Sequence, residues 1–250
     1  QLTKINRAAM YIYLLCIKII ILYNCLMNQF NRAWNFYAKN WKFFIVLAAP
    51  IMMLEIAMAS MITPIQNVTQ PEDILEFFNE NIAFLGSVSL LGVVLSMAFM
   101  GALFVSYASI ESENEIEPLN ALFLGIRKFF PLLGAYLIAS VGVFFGILLL
   151  ILPAFYVAAR LCIFPAFIML EDKGAIESLK LSWEKTDEHG TTLFGLTIAF
   201  FSLTMIFASV AQSIISPGLT QLVVLAIIEY VIVIPWGYVY FSLYKSLKRH

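Results

Sequence analysis

Three charged side chains stand inside long apolar stretches of the sequence: Glu55, Arg160 and Glu229. Glu55 lies 13 residues after Lys42, Arg160 lies 11 before Glu171, and Glu229 lies 16 before Lys245. A helix rises about 1.5 Å per residue, so each sits roughly 15–25 Å from the flanking charge. That depth is costly for an isolated ion, and pairing is the expected remedy. The expectation is that Arg160 faces the interior of a bundle and is neutralised by Glu229 or Glu55. It would act either as a structural lock or as the polar centre of a path for an anionic substrate.

Other residues invite chemistry but carry less. Asp187-Glu188-His189-Gly190 could suggest acid–base or metal work, yet a glycine-terminated interfacial helix explains the run. Ser182 and Thr186, one turn apart, suit carbonyl bonding better than nucleophilic catalysis, because no histidine base accompanies them in the central apolar stretches. The histidines are His189 and His250 and the cysteines are Cys16, Cys25 and Cys162, with no CxxC pair. That inventory builds no metal cage at ordinary ligand spacing and reads as buried, reduced thiols. The glycines are scattered and form no phosphate loop, and Gly142-x-x-x-Gly146 offers a small-residue face for close helix packing or self-association. Asn67-Val68-Thr69 matches a glycosylation acceptor that a bacterial cell would not use. No catalytic residue, cofactor or metal is expected.

The elements that must position these residues follow from composition. The chain has 250 residues, 62% hydrophobic and only 12% charged, with a net charge of −1 and a mean hydropathy of +0.89. Soluble domains carry about a quarter charged residues. Here too little polar surface exists to coat a globule in water, so lipid must cover the rest. The absence of a basic excess argues against nucleic acid as a partner, leaving membrane lipids. The expected fold is all-α: an integral membrane bundle of six transmembrane helices near 43–62, 82–107, 129–152, 153–170, 191–215 and 219–244. Pro50, Pro165 and Pro235 are expected to kink their spans.

Basic residues fix an expected orientation. Arg32, Lys39, Lys42, Arg127, Lys128, Lys173, Lys180, Lys185, Lys245, Lys248 and Arg249 all fall on one side of a six-span arrangement. By the retention of basic loops inside the cell, that side is cytoplasmic. The acidic segment with Glu72, Asp73, Glu76 and Glu80 then lies outside, and Ile74, Phe77 and Phe78 suit a rest on the outer interface. Residues 27–250 form the single six-helix domain. Residues 1–26 read as upstream sequence before a native start at Met27, since Lys18 at the centre of a span would cost about 2.5–3.5 kcal/mol. The rival reading is a seventh, N-terminal helix.

The segments leading into the first, third and fifth spans share a pattern. Lys42-Phe43-Phe44 and Lys128-Phe129-Phe130 repeat one step, and Ile116-Glu117 and Ile176-Glu177 repeat another at a spacing of 60 residues. Apolar residues recur at helical spacing: Phe30, Trp34, Tyr37, Trp41, then Leu119, Leu122, Phe123, Ile126, then Ile176, Leu179, Trp183. Three short amphipathic helices in the cytoplasmic interface, each opening one unit of a threefold pseudo-repeat, are expected.

The run Pro153, Tyr156, Arg160, Pro165, Glu171, Gly174, Ser178, Ser182-Trp183, Thr186, Gly190 resembles the signature region of bacterial YciC-like inner-membrane proteins. It is similar as well to the membrane domain fused to some glycerophosphoryl diester phosphodiesterases. The resemblance covers about residues 27–250. It implies a six-helix protein of the bacterial cytoplasmic membrane with no enzyme activity, since the phosphodiesterase barrel is absent. An envelope structural or accessory role is the leading expectation. A transporter or binder of a lipid or small anion, using Arg160 with Glu55 and Glu229, is the second, by association with the fused architecture.

Overall fold

A computed structural model describes the backbone of residues 2–63, 70–114 and 116–248, with side chains from Leu26 onward. Lys18, Cys16, Cys25, Asn67, Val68, Thr69, Arg249 and His250 lie outside those described side chains. The described residues are helical: α1 (Leu2–Ile62), α2 (Pro71–Glu111), α3 (Pro118–Arg127), α4 (Phe129–Leu149), α5 (Ile151–Leu161), α6 (Phe164–Glu171), α7 (Ala175–Lys185), α8 (Gly190–Ile214) and α9 (Leu219–Leu247). Six segments are long and apolar enough to cross a membrane: Leu26–Ile62, Pro71–Glu111, Phe129–Leu149, Ile151–Glu171, Gly190–Ile214 and Leu219–Leu247. The fold is an all-α membrane bundle.

Local chemistry sets the breaks. Asn40 leaves helical geometry (φ −117°, ψ 17°) and divides α1, while its amide donates back to the Phe36 carbonyl at 2.9 Å. Lys128 (φ −105°, ψ 19°) separates α3 from α4, and His189 (φ −103°, ψ 1°) precedes α8. All three joints use the sparsely populated bridge conformation. They fall between the three expected interfacial segments and the spans that follow them. Asp172 takes the left-handed conformation (φ 57°) that ends α6. Pro50 and Pro235 sit within α1 and α9 without ending either helix.

One feature differs from the sequence expectation. The acidic stretch is no separate segment: Pro71 opens α2 with Glu72 and Asp73 in its first turn, and the helix continues unbroken through Asn81. Proline at the helix start and acids against its N-terminal dipole are a start signal, and nothing breaks the chain afterwards. At 41 residues, α2 is about 62 Å long, twice the roughly 30 Å hydrocarbon core, so it must project beyond the bilayer. The short helix α3 is stacked closely against α2. A Cβ on Gly125 would fall 2.1 Å from the Ala98 carbonyl oxygen.

The third and fourth spans form a hairpin through one extended residue, Leu150 (φ −177°, ψ 156°). Its tightness explains the small-residue motif. A Cβ on Gly146 would meet Ala154 Cα at 2.6 Å, and one on Gly142 would touch Val157 at 3.4 Å. The glycine face is thus filled by α5 of the same chain.

The core runs between α1, α2 and α9 and is unusually aromatic. Tyr107 and Phe44 are fully buried. Phe36 stacks on Tyr238 at 3.9 Å between ring centroids, and the Tyr107 hydroxyl donates to the Ile234 carbonyl at 2.6 Å. That bond ties α2 to α9 and gives the buried tyrosine hydroxyl the acceptor that an apolar interior demands.

Candidate functional site

The fourth span opens at Cys162 and Ile163, because Pro165 has no N–H to offer the Leu161 carbonyl. The break is closed from α7. Ser182 Oγ donates to the Arg160 carbonyl at 3.0 Å and accepts from the Ile163 N–H at 3.3 Å. Thr186 Oγ1 reaches the same carbonyl at 2.9 Å. Both hydroxyls are fully buried and committed to backbone, as their one-turn spacing suggested.

Around this seam the Arg160 side chain is folded in, 3% exposed. Its Nε donates to Thr186 Oγ1 at 3.1 Å, one terminal nitrogen donates to the Tyr156 hydroxyl at 2.8 Å, and the other donates to the Trp183 carbonyl. That second nitrogen also meets Asp187 Oδ1 at 2.8 Å. The guanidinium lies over the Trp183 ring, 4.6 Å from its centroid. Gly190 makes room: a Cβ there would come within 3.3 Å of Arg160 Cδ and 3.4 Å of the Tyr156 hydroxyl. So Gly190 opens α8 beside the arginine and does not terminate α7, which ends at Lys185.

The carboxylate that meets Arg160 is therefore Asp187, in the joint between α7 and α8, and neither Glu55 nor Glu229. Distance along the sequence misplaced the partner because the chain folds α7 back along α6 and α5, bringing a polar joint to the arginine. Glu55 of α1 and Glu229 of α9 instead lie near enough to feel each other's charge, beside Tyr230. The structure brings the two glutamates together and leaves Arg160 apart from them.

Of the basic residues expected on one side, Arg32, Lys128, Lys173, Lys245 and Lys248 pair with carboxylates at helix ends. Glu111, at the end of α2 with its side chain 11% exposed, takes Arg32 of α1 at 3.6 Å. It also binds Lys245 and the Tyr238 hydroxyl of α9. Glu171 accepts from the Tyr244 hydroxyl at 2.7 Å and pairs with Lys248 at 3.5 Å. Lys128 binds Asp172, and the bond from its ammonium holds the Asp172 carboxyl below its ordinary range. Lys173 meets Glu177 at 2.7 Å, whose hydrogen bond raises the lysine. Composition could locate these cations but not Glu111 as their hub, because nothing in its local sequence marks it.

An apolar cavity of about 460 Å³ lies deeper, between α4 and α5 on one side and α9 on the other, with α2, α6 and α8 completing its wall. Sequence periodicity gave no signal for it, since a void is a property of how helices fail to meet. Among the described residues no three His, Cys, Asp or Glu side chains converge.

A profile described as a domain of unknown function, DUF7847, matches residues 76–234, well over half of the sequence. The chain belongs to that family. A UPF0259 membrane protein from Photorhabdus laumondii is 28% identical over 102 residues, or 41% of this chain and 36% of the relative. The match thus covers little more than a third of that relative's length. No solved structure matches. The DUF7847 chain is a membrane protein of a family to which no role is assigned.

Proposed function

We propose that the chain is a non-enzymatic, YciC-like component of the bacterial cytoplasmic membrane with an architectural or accessory role in the envelope, and that Arg160 is a lock within it. The observation that carries this reading is the saturation of the guanidinium. Of its five N–H groups, four are used by Thr186, Tyr156, the Trp183 carbonyl and Asp187, and one ring covers its face. Little is left for a ligand anion. The hydroxyls nearest to it, Ser182 and Thr186, hold backbone carbonyls, which supports the absence of nucleophilic chemistry.

The basic end of the bundle would face the cytoplasm, on the rule that lysine and arginine are retained inside. The α3 and α7 helices, whose outer faces carry Leu119, Phe123, Ile176 and Trp183, would sit at that interface. The alternative use of Arg160 as an anion-binding centre of a transporter gains no support from the 460 Å³ cavity, which is lined by its neighbours Ala158 and Leu161 but not by Arg160.

The test is complementation of a deletion strain scored by envelope permeability to large antibiotics. Arg160→Lys and Arg160→Met variants that accumulate to wild-type levels are expected to restore the barrier fully. Loss of complementation at normal abundance would show that the arginine acts on something outside the fold.

A further inference from the structure

The 460 Å³ cavity is about three times the engineered apolar void of roughly 150 Å³ that accepts benzene, and it falls within the usual range of ligand sites, about 300–1,000 Å³. Its walls are almost wholly carbon: Leu103, Phe104, Val143, Phe155, Ala158 and Val233 are typical. It opens sideways, because Ser140 on its rim is exposed, as are Leu137 and Val141 beside it. All its lining residues belong to segments that can cross the membrane, so the opening faces hydrocarbon and not water.

One end is different. There Trp236 Nε1 donates to the Tyr240 hydroxyl, and the Tyr240 and Thr197 hydroxyls bond one another at 2.7 Å. Each hydroxyl carries one proton, and one proton suffices for their mutual bond. Whichever group donates it, the other hydroxyl proton has no acceptor among the described residues. Leaving a buried donor unmatched is unfavourable, so this end asks for an oxygen acceptor on whatever fills the cavity. Tyr240 lies five residues before Lys245, about 7.5 Å along the helix from the basic end. That is where a lipid's ester carbonyls lie beneath its head group.

We propose that this cavity holds one acyl chain of a glycerophospholipid, taken laterally from the leaflet at the basic end of the bundle, with the ester carbonyl accepting from the Tyr240–Thr197 pair. Charge plays no part in the recognition, and the site is separate from the lock at Arg160.

Native mass spectrometry of the full chain, stripped of lipid and titrated with phosphatidylethanolamine, tests it. Wild type is expected to bind one lipid, and Val143→Trp, which fills the cavity from α4, to weaken binding by tenfold or more. Ala158→Phe fills it from α5 and serves if the first variant does not fold. A diether analogue, which keeps the chains but lacks both carbonyls, should bind two- to tenfold more weakly to wild type. The ester–ether difference should shrink in the Thr197→Val/Tyr240→Phe double variant. Palmitate as a separate arm distinguishes a phospholipid site from one that takes any free chain: equal or tighter binding of palmitate overturns the phospholipid assignment. Undiminished lipid binding by a folded Val143→Trp or Ala158→Phe variant overturns the site. Arg160 variants are expected to bind lipid as wild type does, so failure of the lock leaves this result readable.

Discussion

Asp187→Ala and Arg160→Ala remove opposite halves of one ion pair, and the structure makes their costs unequal. Taking one partner from a buried pair ordinarily costs about 3–5 kcal/mol. Asp187 is 76% exposed while Arg160 is buried, so water can replace the lost carboxylate at the one edge of the guanidinium that it occupied. The cost of Asp187→Ala should fall toward that of a surface pair, about 1 kcal/mol. Arg160→Ala deletes three further bonds, to Thr186, Tyr156 and the Trp183 carbonyl. Bonds to charged groups are worth about 1.5–3 kcal/mol each, and the variant also loses the contact with the Trp183 ring. Relief of a buried charge offsets several kcal/mol of this, leaving a net loss of about 2–4 kcal/mol. Thermal unfolding in a mild detergent, followed by fluorescence-detected size exclusion, reads the order of the two midpoints. The Asp187→Ala deficit should also shrink between 50 and 500 mM salt, and that of Arg160→Ala, which loses the same pair, should fall by no more than the same amount. Equal destabilisation, or an Arg160→Ala deficit that falls with salt by more than that of Asp187→Ala, would refute the claim that neutral acceptors carry the lock.

Gly125→Ala should unstack α3 and destabilise by more than the usual 1–3 kcal/mol of overpacking, because its Cβ would meet backbone and not a movable side chain. Gly86→Ala, with nothing within 4 Å, should be neutral or slightly stabilising in the same unfolding assay. The Asp172 carboxyl, lowered chiefly by the bond from Lys128, should titrate below 3.8 by carbon-detected NMR, and Lys128→Met should return it upward. A lowered carboxyl contributes stability above its unfolded pKa and loses it as pH falls through the folded one, so any such contribution vanishes only in strong acid. Reporter fusions should give cytoplasmic signal at Lys248 and after Lys173, and periplasmic signal between Ile215 and Gly218. The reverse pattern would invert the orientation.

Six spans were legible because about 20 apolar residues have few other uses, and their ends lay near flanking charges or glycines. The projecting starts and stacked helices were less visible. Pro71 begins α2 well outside the apolar window, so hydropathy alone cut the helix at Ile82. Arg160 was recognisable as a residue in need of a partner, but linear depth pointed to Glu55 and Glu229. The true neighbour sits 27 residues downstream, reached by a fold-back that no periodicity encodes. Asp187 was in view all along as part of an unusual polar run, and Tyr156, Ser182 and Thr186 stood in the same stretch as the arginine. The cavity left no trace, since its walls are ordinary core residues.

The seam in the fourth span bears on how the chain enters the membrane. When Ile151–Glu171 leaves the ribosome and meets lipid, the Arg160 carbonyl and the Ile163 N–H have no partners, and each costs several kcal/mol in hydrocarbon. Their partners, Ser182 and Thr186, are made only afterwards. The fourth span therefore cannot be released into the bilayer in its final form until α7 has been synthesised and folded back upon it. Nascent chains arrested just past Asp172 should still be extractable from the insertion machinery, and chains arrested past Gly190, once clear of the ribosome, should not.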